Sequence, residues 1–184
     1  MKRRPLVFIQ GAGDMRAPDG SGKLAAYLIA ALGDEYHVIA PAMPEPDNPR
    51  YGPWRDRIEQ ELRGIDEPVV LVGHSFGGSV LVKYLGEGTV EPPVAALFLV
   101  AAPFWGPGGW EYEEFELPAE LASALEGSRV YLFHSRDDPE VPFDHLRLYG
   151  EKLPEATARP IPGSQHSFVD GLRELVDEIR SMTG

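Results

Sequence analysis

The stretch Val69-Val70-Leu71-Val72-Gly73-His74-Ser75-Phe76-Gly77-Gly78-Ser79-Val80-Leu81-Val82 decides how this chain is to be read. An unbroken apolar, β-branched run reads as a strand buried on both faces, and the residues after Gly78 continue as a helix. Between the two stands Gly-x-Ser-x-Gly, from Gly73 to Gly77. A chain that passes from strand to helix in so few residues strains the backbone of the serine. A side chain at Gly73 or Gly77 would collide with the neighbouring strand or helix. Such a turn exposes the Ser75 hydroxyl and sets it at a helix N-terminus, where the Phe76 N–H faces developing negative charge. Ser75 is the candidate nucleophile.

Outward from this turn, short apolar runs bounded by Gly, Pro or Asp recur at Leu6–Gln10, His37–Ala40, Pro68–Gly73, Val94–Ala101, Arg129–His134 and Thr157–Ile161. All are expected to be strands buried on both faces. Helical spacing lies between them: Leu24, Tyr27, Leu28 and Ala31; Trp54, Ile58, Leu62 and Ile65; and Phe168, Leu172, Leu175, Val176 and Ile179. Strand and helix therefore alternate, which predicts a doubly wound, mostly parallel six-stranded sheet with helices on both faces, as one domain over residues 1–184. In such sheets ligands bind at the carboxyl ends of the strands. Pro103–Pro118 breaks the alternation with Gly, Pro, Trp and Glu, and is expected to be a loop over that end.

The strand ends carry the remaining chemistry. A serine hydroxyl needs a histidine to take its proton, and the histidine needs a carboxylate to orient it. After Arg129–His134 come Asp137 and Asp138; Pro139 keeps Asp138 out of helical geometry and favours it, with Asp137 as the alternative. Of five histidines only His166 lies beyond the last strand, immediately before the terminal helix, where the base is expected. His74 is read as pocket lining. The first strand ends in Gly11-Ala12-Gly13, whose glycines let backbone approach a substrate carbonyl. Ala12, or else Gly13, is the expected second oxyanion donor beside Phe76. Gly11-Ala12-Gly13 and Gly20-Ser21-Gly22-Lys23 both lack the residues that a nucleotide loop requires.

The composition excludes much else. Of 184 residues, 29 are acidic and 17 basic, a net charge of −12 that disfavours nucleic acid and anionic membrane surfaces as partners. There is no Cys, so disulfides, thiolate metal sites and cysteine nucleophiles are impossible. The apolar run within Met1–Gln10 is too short for a signal peptide, and no window is long enough to span a membrane, which predicts a cytoplasmic location. No metal or cofactor is expected.

The motifs Gly73-His74-Ser75-Phe76-Gly77-Gly78, Asp137-Asp138-Pro139-Glu140-Val141-Pro142, Gly163-Ser164-Gln165-His166 and Ala101-Ala102-Pro103-Phe104-Trp105 bear a family likeness. Over nearly its whole length the chain resembles the small α/β-hydrolases of the retinoblastoma-binding protein 9 type. The resemblance implies a six-stranded α/β-hydrolase sheet without a large cap domain, and a serine hydrolase whose triad maps on Ser75, Asp138 and His166. The Leu-x-Cys-x-Glu motif for retinoblastoma-type partners cannot exist without Cys, so that partner is not carried over. Cleavage of small neutral acyl esters or amides is the expected activity, with a noncatalytic binding protein or a perhydrolase as the alternatives. The acyl pocket is expected from Phe76, Phe104, Trp105 and Trp110, with Gly11 and Gly13 at its edge. Trp54, at helical spacing with Ile58 and Leu62, is read as core. Glu111, Glu113, Glu114 and Glu116 are read as a solvated loop face that would disfavour anionic substrates if it rims the site.

Overall fold

The computed structural model describes residues 2–88 and 90–182. Its strands are β1 (Arg4–Ile9), β2 (Tyr36–Ile39), β3 (Val69–His74), β4 (Val94–Val100), β5 (Val130–Ser135) and β6 (Thr157–Ile161). The helices are α1 (Gly22–Leu32), α2 (Tyr51–Leu62), α3 (Phe76–Gly86), α4 (Leu121–Ala124), α5 (Asp144–Lys152) and α6 (Arg173–Ser181). All strands are parallel in one sheet of order β2-β1-β3-β4-β5-β6. The order turns back between β1 and β3. Connections on the two sides of that point leave in opposite directions and open a crevice at the strand ends, where Gly11 and Ser75 lie.

Successive side chains on a strand point to opposite faces, so a sheet covered on both sides needs two cores. Leu6, Phe8, Val70, Val72, Ala96 and Phe98 pack with Leu24, Leu28 and Leu32 of α1 and Leu175 and Ile179 of α6. Val7, Ile9, Leu71, Leu97 and Leu99 pack on the other face against Trp54 and Ile58 of α2 and Val80 and Leu81 of α3. Trp54 is wholly buried, as its helical spacing predicts, and its indole N–H donates to Pro44 O at 2.7 Å.

Two expectations change. The strands β2 and β6 are not buried on both faces: they are the two edges of the sheet, and His37 of β2 and Ala158, Arg159 and Pro160 of β6 are exposed. An edge strand has a free side, and it is there that a proline without an N–H is tolerated. The last helix starts at Arg173, not near Phe168. Phe168 has φ +47° and Gly171 φ +88°, so the chain turns once more before α6. Phe168 and Leu172 still reach the core, which is why they match the helical period without being helical.

The turn from β3 into α3 is closely packed. Ser75 sits at φ +51°, ψ −128°, a conformation costing about 1–3 kcal/mol for a residue with a side chain. It is held by Ser75 N donating to Val100 O at 2.8 Å and by Ser75 O accepting from Gly78 N at 2.9 Å. A Cβ on Gly73 would fall on the Gly78 backbone, and one on Gly77 would lie 2.5 Å from Ile9 O. Gly78 is equally constrained, with Ala102 Cβ 2.8 Å from where its own Cβ would be. Gly77→Ala should therefore lower the free energy of unfolding by about 2–3 kcal/mol, measured by urea denaturation; an unchanged midpoint would contradict this packing.

Candidate active site

Three strand ends meet at Ser75. His166 Nε2 lies 2.8 Å from Ser75 Oγ, and His166 Nδ1 lies 2.8 Å from Asp138 Oδ2. An ionised carboxylate only accepts, so Nδ1 carries the ring hydrogen and Nε2 presents its lone pair to the Ser75 hydroxyl. The three groups form one directed chain from carboxylate to hydroxyl. Such a chain can lift a proton from the hydroxyl oxygen and stabilise the imidazolium that results.

The two adjacent carboxylates have different surroundings. The Asp138 side chain is wholly buried; its Oδ1 accepts from Glu140 N at 2.8 Å and Val141 N at 2.9 Å. Behind it, buried His134 donates from Nε2 to Val141 O at 2.9 Å and lies 3.3 Å from Asp138 Oδ2. Burial alone would raise the Asp138 carboxyl, but the hydrogen bonds from His134, His166 and Val141 outweigh it and hold the group well below the usual carboxylate range. Asp138 is thus an anion aimed at His166. Asp137 turns away from the ring: its Oδ1 accepts from Ser135 Oγ at 2.6 Å, Ser164 N at 3.0 Å and Gln165 N at 2.9 Å. It clamps the loop that carries His166. Nothing in the spacing of the two residues distinguishes these surroundings.

At the end of β1, Gly11 backs directly on the serine, with Ser75 Cβ 3.0 Å from where a Gly11 Cβ would be. The N–H of Gly11 is taken by Ser21 Oγ at 2.8 Å, and that of Gly13 by Pro46 O at 2.7 Å. Buried Gln10 braces the same loop, donating from Nε2 to Gly13 O at 3.0 Å. Ala12 lies between them at the wall of the cleft that holds Ser75. Phe76 opens α3, and an N–H in the first turn of a helix has no intrahelical acceptor. Both expected donor positions therefore border the serine.

The cleft in front of Ser75 has a volume of about 440 Å³. Phe76, Trp105, Trp110, Tyr112 and Phe115 supply its apolar walls, and Asn48, Arg50, Glu114 and Glu140 its polar rim. The rings meet edge to face: Phe76 and Phe115 at 4.9 Å, Trp105 and Trp110 at 5.2 Å between centroids. Phe104 is a correction, since it lies outside this wall. It is buried under the loop, its ring edge-on to Tyr149 at 5.2 Å and its N–H donating to His145 Nδ1 at 2.8 Å. Packing against Tyr149 and the bond to His145 hold Phe104 inward, while Trp105, the next residue, lines the cleft. His74 is likewise buried, with both ring nitrogens bonded to protein groups, and does not line the cleft.

The loop from Pro103 to Pro118 is tied down. Gly106 N donates to Trp110 O at 2.8 Å and Leu117 N to Trp105 O at 3.1 Å. Glu114 is no solvated bystander: its Oε1 accepts from Tyr51 N at 2.8 Å and from Arg50 Nε at 3.1 Å. The first turn of α2 has no side-chain cap of its own, and the loop provides one. Glu114, Phe115, Tyr112 and Glu140 escape a reading by motif because their roles depend on contacts across the cleft.

A parallel sheet of this order, with a strained serine turn after the strand that follows its switch point, defines the α/β-hydrolase class. The chain belongs to the alpha/beta hydrolase family, whose model matches residues 6–178. No curated protein sequence matches. Among solved structures, the ydeN gene product of B. subtilis is 21% identical, covers 98% of each chain and has a TM-score of 0.80. A serine hydrolase involved in carbazole degradation, the CarC enzyme, is 18% identical over 99% of this chain and 91% of its own, with a TM-score of 0.72. A monoacylglycerol lipase of Paleococcus ferrophilus is 14% identical over 97% and 94%, with a TM-score of 0.69. These identities establish a shared fold. Among the described residues no helix is long and apolar enough to cross a membrane.

Burial, and then the nearby His166, lower the His74 imidazole to about 4. The unfolded chain, with an ordinary histidine near 6.5, then takes up a proton first as pH falls, so stability is lost from pH 6.5 down to about pH 4. Over that span of about 2.5 pH units the loss is about 3 kcal/mol. Urea denaturation at several pH values should show this loss in the wild type and lack that share of it in His74→Gln; identical pH curves would contradict a buried neutral His74.

Proposed function

We propose that the protein is a serine hydrolase of carboxylesterase type that cleaves small neutral acyl esters or amides. The observation that carries this reading is the directed chain from Asp138 through His166 to Ser75, with 2.8 Å at each step. His166 Nε2 takes the hydroxyl proton as Ser75 Oγ attacks the carbonyl carbon, and the carbonyl oxygen becomes an oxyanion facing the N–H groups of Ala12 and Phe76. Collapse breaks the bond to the leaving group, which departs with the proton from His166 and leaves an acyl-serine. Water, deprotonated by His166, attacks the acyl carbon, and the proton returns to Ser75 as the acid leaves.

The cleft supports small acyl groups. Its volume of about 440 Å³ lies at the lower end of ligand sites, and its aromatic walls offer apolar area without charge. Arg50 and Glu114 on its rim offset each other as an ion pair, so Glu140, together with the net charge of −12, favours neutral or cationic substrates over anionic ones. The narrower likeness to the retinoblastoma-binding protein 9 type rests on the quoted motifs, and the absence of Cys fits a reducing, cytoplasmic setting.

A fluorophosphonate probe should label the wild type and not Ser75→Ala, and p-nitrophenyl esters of increasing acyl length should be cleaved with a preference for short chains. Asp138→Asn should lower kcat by about 10⁴, whereas Asp137→Asn, which retains an acceptor oxygen for the loop, should lower it far less. Folded wild type that is neither labelled nor active on any ester would overturn the reading.

A further inference from the structure

Behind the reacting groups, a buried chain of hydrogen bonds joins three segments of the site. Gly11 N–H donates to Ser21 Oγ at 2.8 Å, Ser21 Oγ lies 2.7 Å from His74 Nδ1, and His74 Nε2 lies 2.8 Å from the main-chain oxygen of His166. Ser21 is 4% and His74 2% exposed. Each direction follows from the last acceptor. A carbonyl oxygen only accepts, so His74 carries its hydrogen on Nε2. The neutral ring then has a lone pair on Nδ1, which takes the Ser21 hydroxyl hydrogen and leaves the Ser21 oxygen to accept from Gly11. Reversing any one bond would bring two hydrogens or two lone pairs face to face where no water can relieve them.

We propose that Ser21 and His74 are positioning residues that hold the oxyanion loop and the base loop in register about Ser75, and that they leave Ala12 as the free donor by occupying the N–H of Gly11. The proposal rests on the serine-hydrolase reading above. Its mechanical basis is short. Gly11 packs against Ser75, so a shift of Gly11 moves the Ala12 N–H relative to the carbon under attack. His74 precedes Ser75 in the chain and grips the main chain of His166, whose ring must keep its 2.8 Å reach to Ser75. A displacement of about 1 Å at such a site costs about 10²-fold in rate. The two imidazoles stand 5.1 Å apart between centroids, so a neutral His74 also places no second charge beside the imidazolium that forms on His166.

The test compares Ser21→Ala, Ser21→Thr and His74→Phe with the wild type on p-nitrophenyl acetate, with fluorophosphonate labelling of Ser75 alongside. Ser21→Ala and His74→Phe should lower kcat by about 10- to 10²-fold with KM changed less than about threefold, and Ser21→Thr, which restores the hydroxyl, should recover most of kcat. Ser21→Ala or His74→Phe that folds and keeps kcat within about twofold overturns the positioning role while leaving the hydrolase reading intact. A wild type that is unlabelled and inactive overturns both. Should the variants not fold, ¹H–¹⁵N correlation spectra of the histidine rings in the wild type still decide: the Nε2–H form of His74 is expected at neutral pH, and the Nδ1–H form or a charged ring would overturn the chain of bonds.

Discussion

The structure turns on the backbone of Ser75, held at φ +51° where a residue with a side chain is strained. Local propensity does not keep it there. The strain persists because β1, β3, β4 and α3 approach one another so closely that Gly73, Gly77 and Gly78 have no room for a Cβ. The hydrogen bond from Ser75 N to Val100 O ties the strained residue to the neighbouring strand. The same crowding brings Gly11 at the end of β1 against the serine, and Ala12 after it lines the same cleft. The sheet, with apolar cores on both faces, supplies the stability from which this local strain is sustained.

From that turn the surroundings divide into two kinds of support. Polar groups fix direction: Asp138 orients the His166 ring, Asp137 clamps the His166 loop, and Ser21 and His74 tie that loop to the end of β1. Aromatic groups fix shape: Trp105, Trp110 and Phe115 wall the cleft on a loop anchored by Glu114 at the start of α2. Bonds from Tyr51 N to Glu114 and from Lys83 Nζ to Glu114 O join this loop to α2 and α3.

Much of this was legible in the residues. The apolar runs of β1, β3, β4 and β5 are buried on both faces, so their lack of alternation marks them plainly. The edge strands β2 and β6 are legible in place but not in burial, because one side of each has no neighbouring strand to cover it. Phe168 misled in the opposite way: it fits a helical period, yet reaches the core from a turn. In the site, Ser75 and His166 stand out by order along the chain, and Pro139 favours Asp138 over Asp137. Phe104 and Trp105 could not be told apart, since both are large aromatics in the same loop and only packing against Tyr149 draws the first one inward.

By itself the sequence determined the alternation of strand and helix, the place of the serine turn and the residue types that meet there, because burial and backbone strain are local demands on residue type. The tertiary structure alone decided which nitrogen, oxygen or ring each of them faces. Gly11 rather than Ala12 gives up its N–H because Ser21, ten residues on, comes within 2.8 Å of it. Glu114 caps a helix 63 residues back along the chain for the same reason. Hydrogen bonds depend on distance and direction in space, and sequence separation carries no record of either.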